Sequence, residues 1–298
     1  MAFNGSRASL TACFFSRPLK NAALTGCVFQ HPVRAMAHVW LALVLALVAA
    51  CAGGPKRPPT GTPEPDKFLF ERGTEALNAR RWLTAREYFR QLVDSYPQSR
   101  YRADAKLGIG DTYLGERTAE SYVLALNEFR EFLTFYPTHE RAPYAQYKLG
   151  MTHFYQMHGP ERDQTETQEA IKELTTFMER YPNSPLRPEV QKRLREARDR
   201  LSQSEYRVGY FYFRTQRWYP GAIERFLSVL KNDPEFTNRD AVYFYLAESL
   251  MKLQRPAEAL PFYERLIAEF DQSEYLDEAK KRSTAIKDEI ARKVKTGP

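Results

Sequence analysis

Of the side chains that could do chemistry in this chain, Cys51 has the most telling surroundings. It stands directly behind Val48-Ala49-Ala50, the end of an apolar run from Val39 to Ala50. After it comes the polar stretch Ala52-Gly53-Gly54-Pro55-Lys56-Arg57-Pro58-Pro59. A lone cysteine behind small residues and a short apolar segment is the pattern of a bacterial lipoprotein signal. The chemistry expected of Cys51 is therefore attachment of lipid once the preceding segment is removed. The apolar run has the length of a signal-peptide core and falls short of the ~18 apolar residues that span a bilayer. The prolines that follow could not continue a helix, which argues against a buried helix that happens to hold a cysteine.

Elsewhere the reactive residue types do not assemble. The other two cysteines, Cys13 and Cys27, lie upstream of Cys51, which excludes a zinc or redox site built on cysteines. Beyond Cys51 the histidines are His139, His153 and His158. His153 and His158 are five apart, not the i, i+4 spacing that stacks two metal ligands on one helix face. Glu161-Arg162-Asp163 is the remaining cluster a catalytic carboxylate could come from, and it reads as a solvated charge run in a loop. Glycine-rich phosphate loops, GxSxG and HExxH are missing. The expectation is a protein that is not an enzyme, with no metal and no cofactor other than covalent lipid on Cys51. Of 44 basic residues Arg7, Arg17, Lys20 and Arg34 precede Cys51, while none of the 37 acidic ones does. The rest is close to neutral, with no basic run interleaved with aromatics, so nucleic acid is not an expected partner.

The elements behind these residues fall in order. Residues 1–35 are acid-free and rich in Arg and Ser, like an organellar leader, yet a second complete signal follows them. The expectation is a start assigned too early, with initiation at Met36 or Val33, and a non-structural 1–35. Residues 36–50 then form the signal peptide and 51–67 a flexible tether, which could reach about 50 Å if extended.

From Phe68 the chain reads as helix after helix, and an internal repeat emerges on the prolines. Ala85, Phe89, Leu92 and Pro97 recur as Ala125, Phe129, Phe132 and Pro137, then as Ala170, Leu174, Phe177 and Pro182. Ala222, Phe226, Val229 and Pro234 form a fourth copy; Ala259, Tyr263 and Leu266 a fifth, with Asp271 where proline should stand. This is the second-helix signature of a tetratricopeptide repeat. A small Ala lets paired helices approach, the bulky residue four on fills the next turn of that face, and proline stops the helix. First helices supply their own small contact positions at Gly73, Gly110 and Ala247. The fold class is all-α: a solenoid of about five helix pairs plus a C-terminal capping helix, Tyr275 to Lys293. Copies are spaced wider than the ~34 residues of the bare motif. The excess is placed in a turn near Gly115 to Ala119, in a loop from Gly159 to Glu166, and in a long helix from Pro188 to Thr215. The aromatics mostly serve inter-repeat packing. Such arrays present a concave groove to extended or helical peptides, and by repeat position Phe70, Thr74, Leu77, Asp111 and Leu114 would line it.

Several stretches go beyond generic repeats: Tyr136-Pro137-Thr138-His139, Arg162-Asp163-Gln164, Arg180-Tyr181-Pro182-Asn183-Ser184, and the block Glu205-Tyr206-x-Val208-x-Tyr210-x-Tyr212 followed by Arg217-Trp218 and Ala222. Together they resemble the BamD family, lipoproteins of the β-barrel assembly machinery, over roughly Cys51 to Phe270. The resemblance implies a lipid-anchored protein on the periplasmic face of the outer membrane. It implies that C-terminal repeats 4–5 and the cap (183–298) bind the POTRA region of BamA, beside other assembly-machinery lipoproteins. It implies that repeats 1–3 (68–182) receive unfolded outer-membrane β-barrel proteins. It also implies that a basic residue on the second helix of repeat 4, here Arg225, pairs with an acidic residue of the last POTRA domain. The rival reading is another periplasmic tetratricopeptide-repeat adaptor coordinating envelope or cell-wall processes. That family usually carries an N-terminal coiled coil, and no heptad run precedes Phe68.

Overall fold

The computed structural model describes residues 57–295, and Cys51 with the segments before it lies outside the described residues. Among the described residues the chain forms eleven helices and no strand: α1 (Pro65–Asn78), α2 (Trp82–Ser95), α3 (Arg102–Glu116), α4 (Ala119–Phe135), α5 (Ala142–Phe154), α6 (Thr165–Arg180), α7 (Arg187–Phe211), α8 (Tyr219–Asn232), α9 (Arg239–Lys252), α10 (Pro256–Glu269) and α11 (Leu276–Lys295). Successive helices pack in antiparallel pairs, α1/α2 through α9/α10, with α11 closing the stack on α10.

The repeat positions make the core. In all five copies the Ala, bulky and second apolar residue of the signature are buried, from Ala85, Phe89 and Leu92 to Ala259, Tyr263 and Leu266. The buried ring of a second helix lies against glycine on first helices. A Cβ on Gly73 or Gly108 would stand 2.5 Å from the ring of Phe89, and one on Gly110 would stand 2.7 Å from Phe129. Glycine is thus required where helix axes must close on a ring.

Second helices end alike. The N–H of Tyr96, Tyr136, Tyr181, Asp233 and Phe270 donates to the carbonyl four residues back, and the chain then turns. The last turn lacks proline but keeps this geometry. Ser273 Oγ donates to Asp240 Oδ2 at 2.6 Å, just as Ser99 Oγ donates to Asp66 Oδ2 at 2.7 Å in the first repeat. The same serine-to-carboxylate tie thus closes the turn with proline, at Pro97, and without it, at Asp271.

Four boundaries differ from the sequence expectation. Helix α1 begins at Pro65, inside the expected tether, because proline is compatible with the first helical turn. The turn between α3 and α4 is only Arg117 and Thr118; the added length of the second copy lies partly in α4, 17 residues long, whose start is fixed by a capping box between Thr118 and Ser121. The loop of the third repeat opens at Tyr155 rather than Gly159. Gln164 Nε2 pins it, donating to the carbonyls of Gly159 and Arg162 at 2.8 and 2.9 Å. The long helix of repeat 4 is α-helical for 25 residues, ~38 Å, and its last turn, Tyr212–Gln216, is π-helical.

Candidate functional site

First helices α1, α3 and α5 stand side by side, and their exposed faces form one wall of the solenoid. At the C-terminal ends of α1 and α3 the wall holds a cleft of about 390 Å³. Its apolar lining is Leu77, Leu114 and Trp82, with the indole lying over Gly115, where a Cβ would meet the ring at 2.8 Å. The rim is basic: Arg80, Arg117 and Lys148. Arg117 lies over the ring of Tyr155 at 5.4 Å and Lys148 over that of Tyr144 at 5.1 Å.

Asp111 organises the α5 side. Tyr144 Oη donates to Asp111 Oδ2 at 2.7 Å, and Lys148 Nζ stands 3.1 Å from Oδ1. Tyr144 and Lys148 are i, i+4 on one face of α5, so one carboxylate engages both. Burial, followed by the Asp111 charge, pushes the Tyr144 hydroxyl well above its ordinary value; it stays a donor at any physiological pH. Asp111 is thus a clamp between α3 and α5 that positions Lys148 at the rim.

Of the five groove residues expected from the sequence, Leu77, Asp111 and Leu114 come together in this cleft. Phe70 and Thr74 do not line it. The Phe70 ring stacks on Tyr101 at 5.1 Å and packs 6.1 Å from Phe89, and the Thr74 hydroxyl donates to the Phe70 carbonyl at 2.9 Å. Arg80, Trp82, Arg117, Tyr144, Lys148 and Tyr155 escaped the sequence reading. The signal that could have found some of them is Arg80-Arg81-Trp82 in a turn where glycine is the usual residue: Arg80 and Arg117 both hold positive φ, 56° and 57°. An apolar floor under a cationic rim can hold an apolar side chain while arginine and lysine take a carboxylate or peptide carbonyls.

Arg225 occupies a different place. It lines a cleft of about 460 Å³ between α6, α7 and α8, with Gln168, Leu201, Glu205 and Ser228. Its Nη1 donates to Glu205 Oε2 at 2.9 Å, and its side chain remains 43% exposed. The rest of the guanidinium is free for a second acceptor from a partner. Behind it lies a buried network: Asp233 accepts from Arg195 and, at 2.6 Å, from the Ser202 hydroxyl. Burial opposes the charge on Asp233, but Arg195 and Ser202 outweigh it and hold the carboxyl below 3.8.

The remaining acidic cluster is spent on structure. Glu161 pairs with Arg207, and Asp163 accepts from the Thr165 amide and hydroxyl at 3.1 and 3.0 Å, opening α6. His153 is buried, with Nδ1 at 2.8 Å from Glu166. Among the described residues no group of three His, Cys, Asp or Glu could hold a metal ion, and no helix is long and apolar enough to cross a membrane.

Comparison with known proteins places these surfaces in context. The family model YfiO, described as outer membrane lipoprotein, matches residues 63–260. The outer membrane protein assembly factor BamD of Caulobacter vibrioides is 29% identical over 219 residues, covering 73% of this chain and 70% of that protein. That of Vibrio cholerae is 28% identical over 203 residues, covering 65% and 81%. Among solved structures, the TPR2AB domain of yeast Sti1 in its pHSP90 complex is 11% identical with a TM-score of 0.36, covering 74% and 98%; the fold argued above stands on helix pairing alone.

Proposed function

The chain belongs to the YfiO family of outer membrane lipoproteins, and on that premise we propose that it is an assembly factor for outer-membrane β-barrel proteins. In this reading it is a scaffold of the β-barrel assembly machinery, held by lipid on Cys51 at the periplasmic face of the outer membrane. Its chemistry is binding rather than bond-making. The observation that carries the reading is the extent of the family match, residues 63–260, which takes in both clefts and not a signal segment alone.

The two clefts divide the work. The cleft of repeats 1–3 receives extended segments of unfolded barrel proteins: an apolar side chain enters between Leu77, Leu114 and Trp82, and Arg80, Arg117 and Lys148 hold main-chain or carboxylate oxygens. Because Asp111 fixes Lys148 through a salt bridge, little side-chain ordering remains to oppose binding. On repeat 4, Arg225 presents its free N–H groups to an acidic residue of the BamA POTRA region while Glu205 holds its orientation. Other lipoproteins of the machinery dock on the same scaffold.

Depletion tests the reading. Loss of the protein should lower porin levels in the outer membrane, and the protein should co-purify with BamA. Normal porin assembly in depleted cells would refute it. Replacing Cys51 with Ala should abolish fatty-acid labelling while leaving the helical circular-dichroism spectrum intact.

A further inference from the structure

The last turn of α7 is unlike any other in the described chain. Residues Tyr212–Gln216 form a π-helical turn, a rare conformation found mostly at functional positions. It closes on Arg217 with φ of 52°, a left-handed backbone that glycine or asparagine adopts at less cost. The turn presents two cations and two aromatics outward. No carboxylate of the described chain comes within ion-pairing distance of Arg214 or Arg217, whereas Arg193, Arg195 and Arg207 of α7 are each paired. Phe211 is 47% and Trp218 52% exposed. Trp218 is held in place nonetheless. One edge meets Tyr212 at 5.1 Å, and the ring lies so close to Gly221 that a Cβ there would collide with it.

Unpaired guanidinium groups select an anionic partner, and half-exposed Trp and Phe beside them select one that is anionic at its surface and apolar just beneath. A family of outer membrane lipoproteins works beside such a surface. We propose that the turn closing α7 is a contact surface for a bilayer bearing anionic phospholipid headgroups. Arg214 and Arg217 take the phosphates, and Phe211 and Trp218 enter the boundary with the acyl chains. The lipid on Cys51 would confine the protein to the membrane; this turn would set which side of the solenoid faces it.

The experiment uses the full chain with Cys51→Ala, so that no attached lipid contributes, and with Trp40→Phe and Trp82→Phe, so that Trp218 is the only emitter. Phosphatidylcholine vesicles with phosphatidylglycerol should blue-shift Trp218 emission and expose it to quenching by brominated acyl chains; phosphatidylcholine alone should not. Each arginine lost should weaken partition about fivefold, so Arg214→Glu with Arg217→Glu should remove the shift. Arg217→Gly, which relieves the left-handed backbone, separates loss of charge from loss of fold and should show the single fivefold loss. Unchanged Trp218 emission, an equal shift on neutral vesicles, or a shift that survives charge reversal would overturn the proposal. So would emission that responds only to a protein partner from the envelope.

Discussion

Replacing Gly73 with Ala tests the packing rule on which the solenoid rests, because two effects compete with opposite sign. Helix propensity alone makes Gly→Ala inside α1 stabilising by about 1 kcal/mol. Against this, the new methyl would stand 2.5, 2.7 and 3.0 Å from three carbons of the Phe89 ring. That ring is buried, and its other edge faces Gly108, where an ideal Cβ would also fall 2.5 Å away. Helix α1 confines it on one side and α3 on the other, so it cannot slide clear, and overpacking of this kind costs about 1–3 kcal/mol. With contact on three ring atoms the upper end applies, and the net expectation is destabilisation of about 2 kcal/mol. Urea unfolding followed by circular dichroism measures it. Hydrogen exchange on α1 and α2 localises it, since repeat arrays need not unfold in one step. Combining Gly73→Ala with Phe89→Leu should recover about 1–2 kcal/mol as coupling. Gly221→Ala is the comparison: its methyl would fall 2.3 Å from the Trp218 ring, but that ring is half exposed rather than enclosed between two helices, so the loss should be smaller than for Gly73→Ala. A Gly73→Ala protein as stable as the parent, or more so, would refute the argument.

Acid should loosen the middle of the array first. Asp233 has its carboxyl held below the ordinary 3.8, so its ion pair stabilises fully above that pH and the contribution is lost as pH falls through the lowered value; Asp233→Asn should flatten the stability profile there. Arg225→Glu should change stability by less than about 1 kcal/mol, because its pair with Glu205 is well exposed, while co-purification with BamA falls; equal retention of BamA would remove Arg225 from the interface. Arg117→Glu, at the rim of the first cleft, should weaken capture of peptides from unfolded barrel proteins in a fluorescence-anisotropy titration without lowering the melting temperature by more than a few degrees. Amides of α7 around Ser202 should exchange faster than those of α3, and uniform protection would contradict the division of the core described below.

How much of this was legible in the sequence depended on whether the signal was local. The Ala, bulky and apolar positions of every second helix were readable because one helix face repeats at i, i+4 and i+7, and all of them are buried. Helix stops at Pro97, Pro137, Pro182 and Pro234 were equally local. Phe70 shares a face of α1 with Leu77, so register alone assigned both to the groove. The difference comes from Tyr101 at the start of α3, which covers Phe70 from across the repeat. The basic rim was harder to read: Arg80-Arg81-Trp82 marks a turn but not its left-handed backbone, and Lys148 is tied at the cleft by Asp111 on another helix. Glu205, the partner of Arg225, sits on the neighbouring helix and carries no mark of that role in its own segment.

The core is divided between the two halves. Buried apolar residues form one cluster from Leu69 to Leu149 and another from Ala222 to Ile286. Between them only Leu174, Phe177, Val190 and Leu194 form a small cluster of their own. From α7, Arg195 and Ser202 both reach Asp233 at the end of α8, whereas the pairs of Arg193 with Glu189 and Glu196 and of Arg195 with Asp199 lie within α7 itself. Apolar burial is additive and forgiving of small shifts, whereas a buried ion pair is favourable only while its geometry holds. Glu205 and Arg225 line the same cleft as Ser202 and Asp233. An acidic partner drawing on Arg225 would compete with Glu205 directly beside the carboxylate that Arg195 and Ser202 hold.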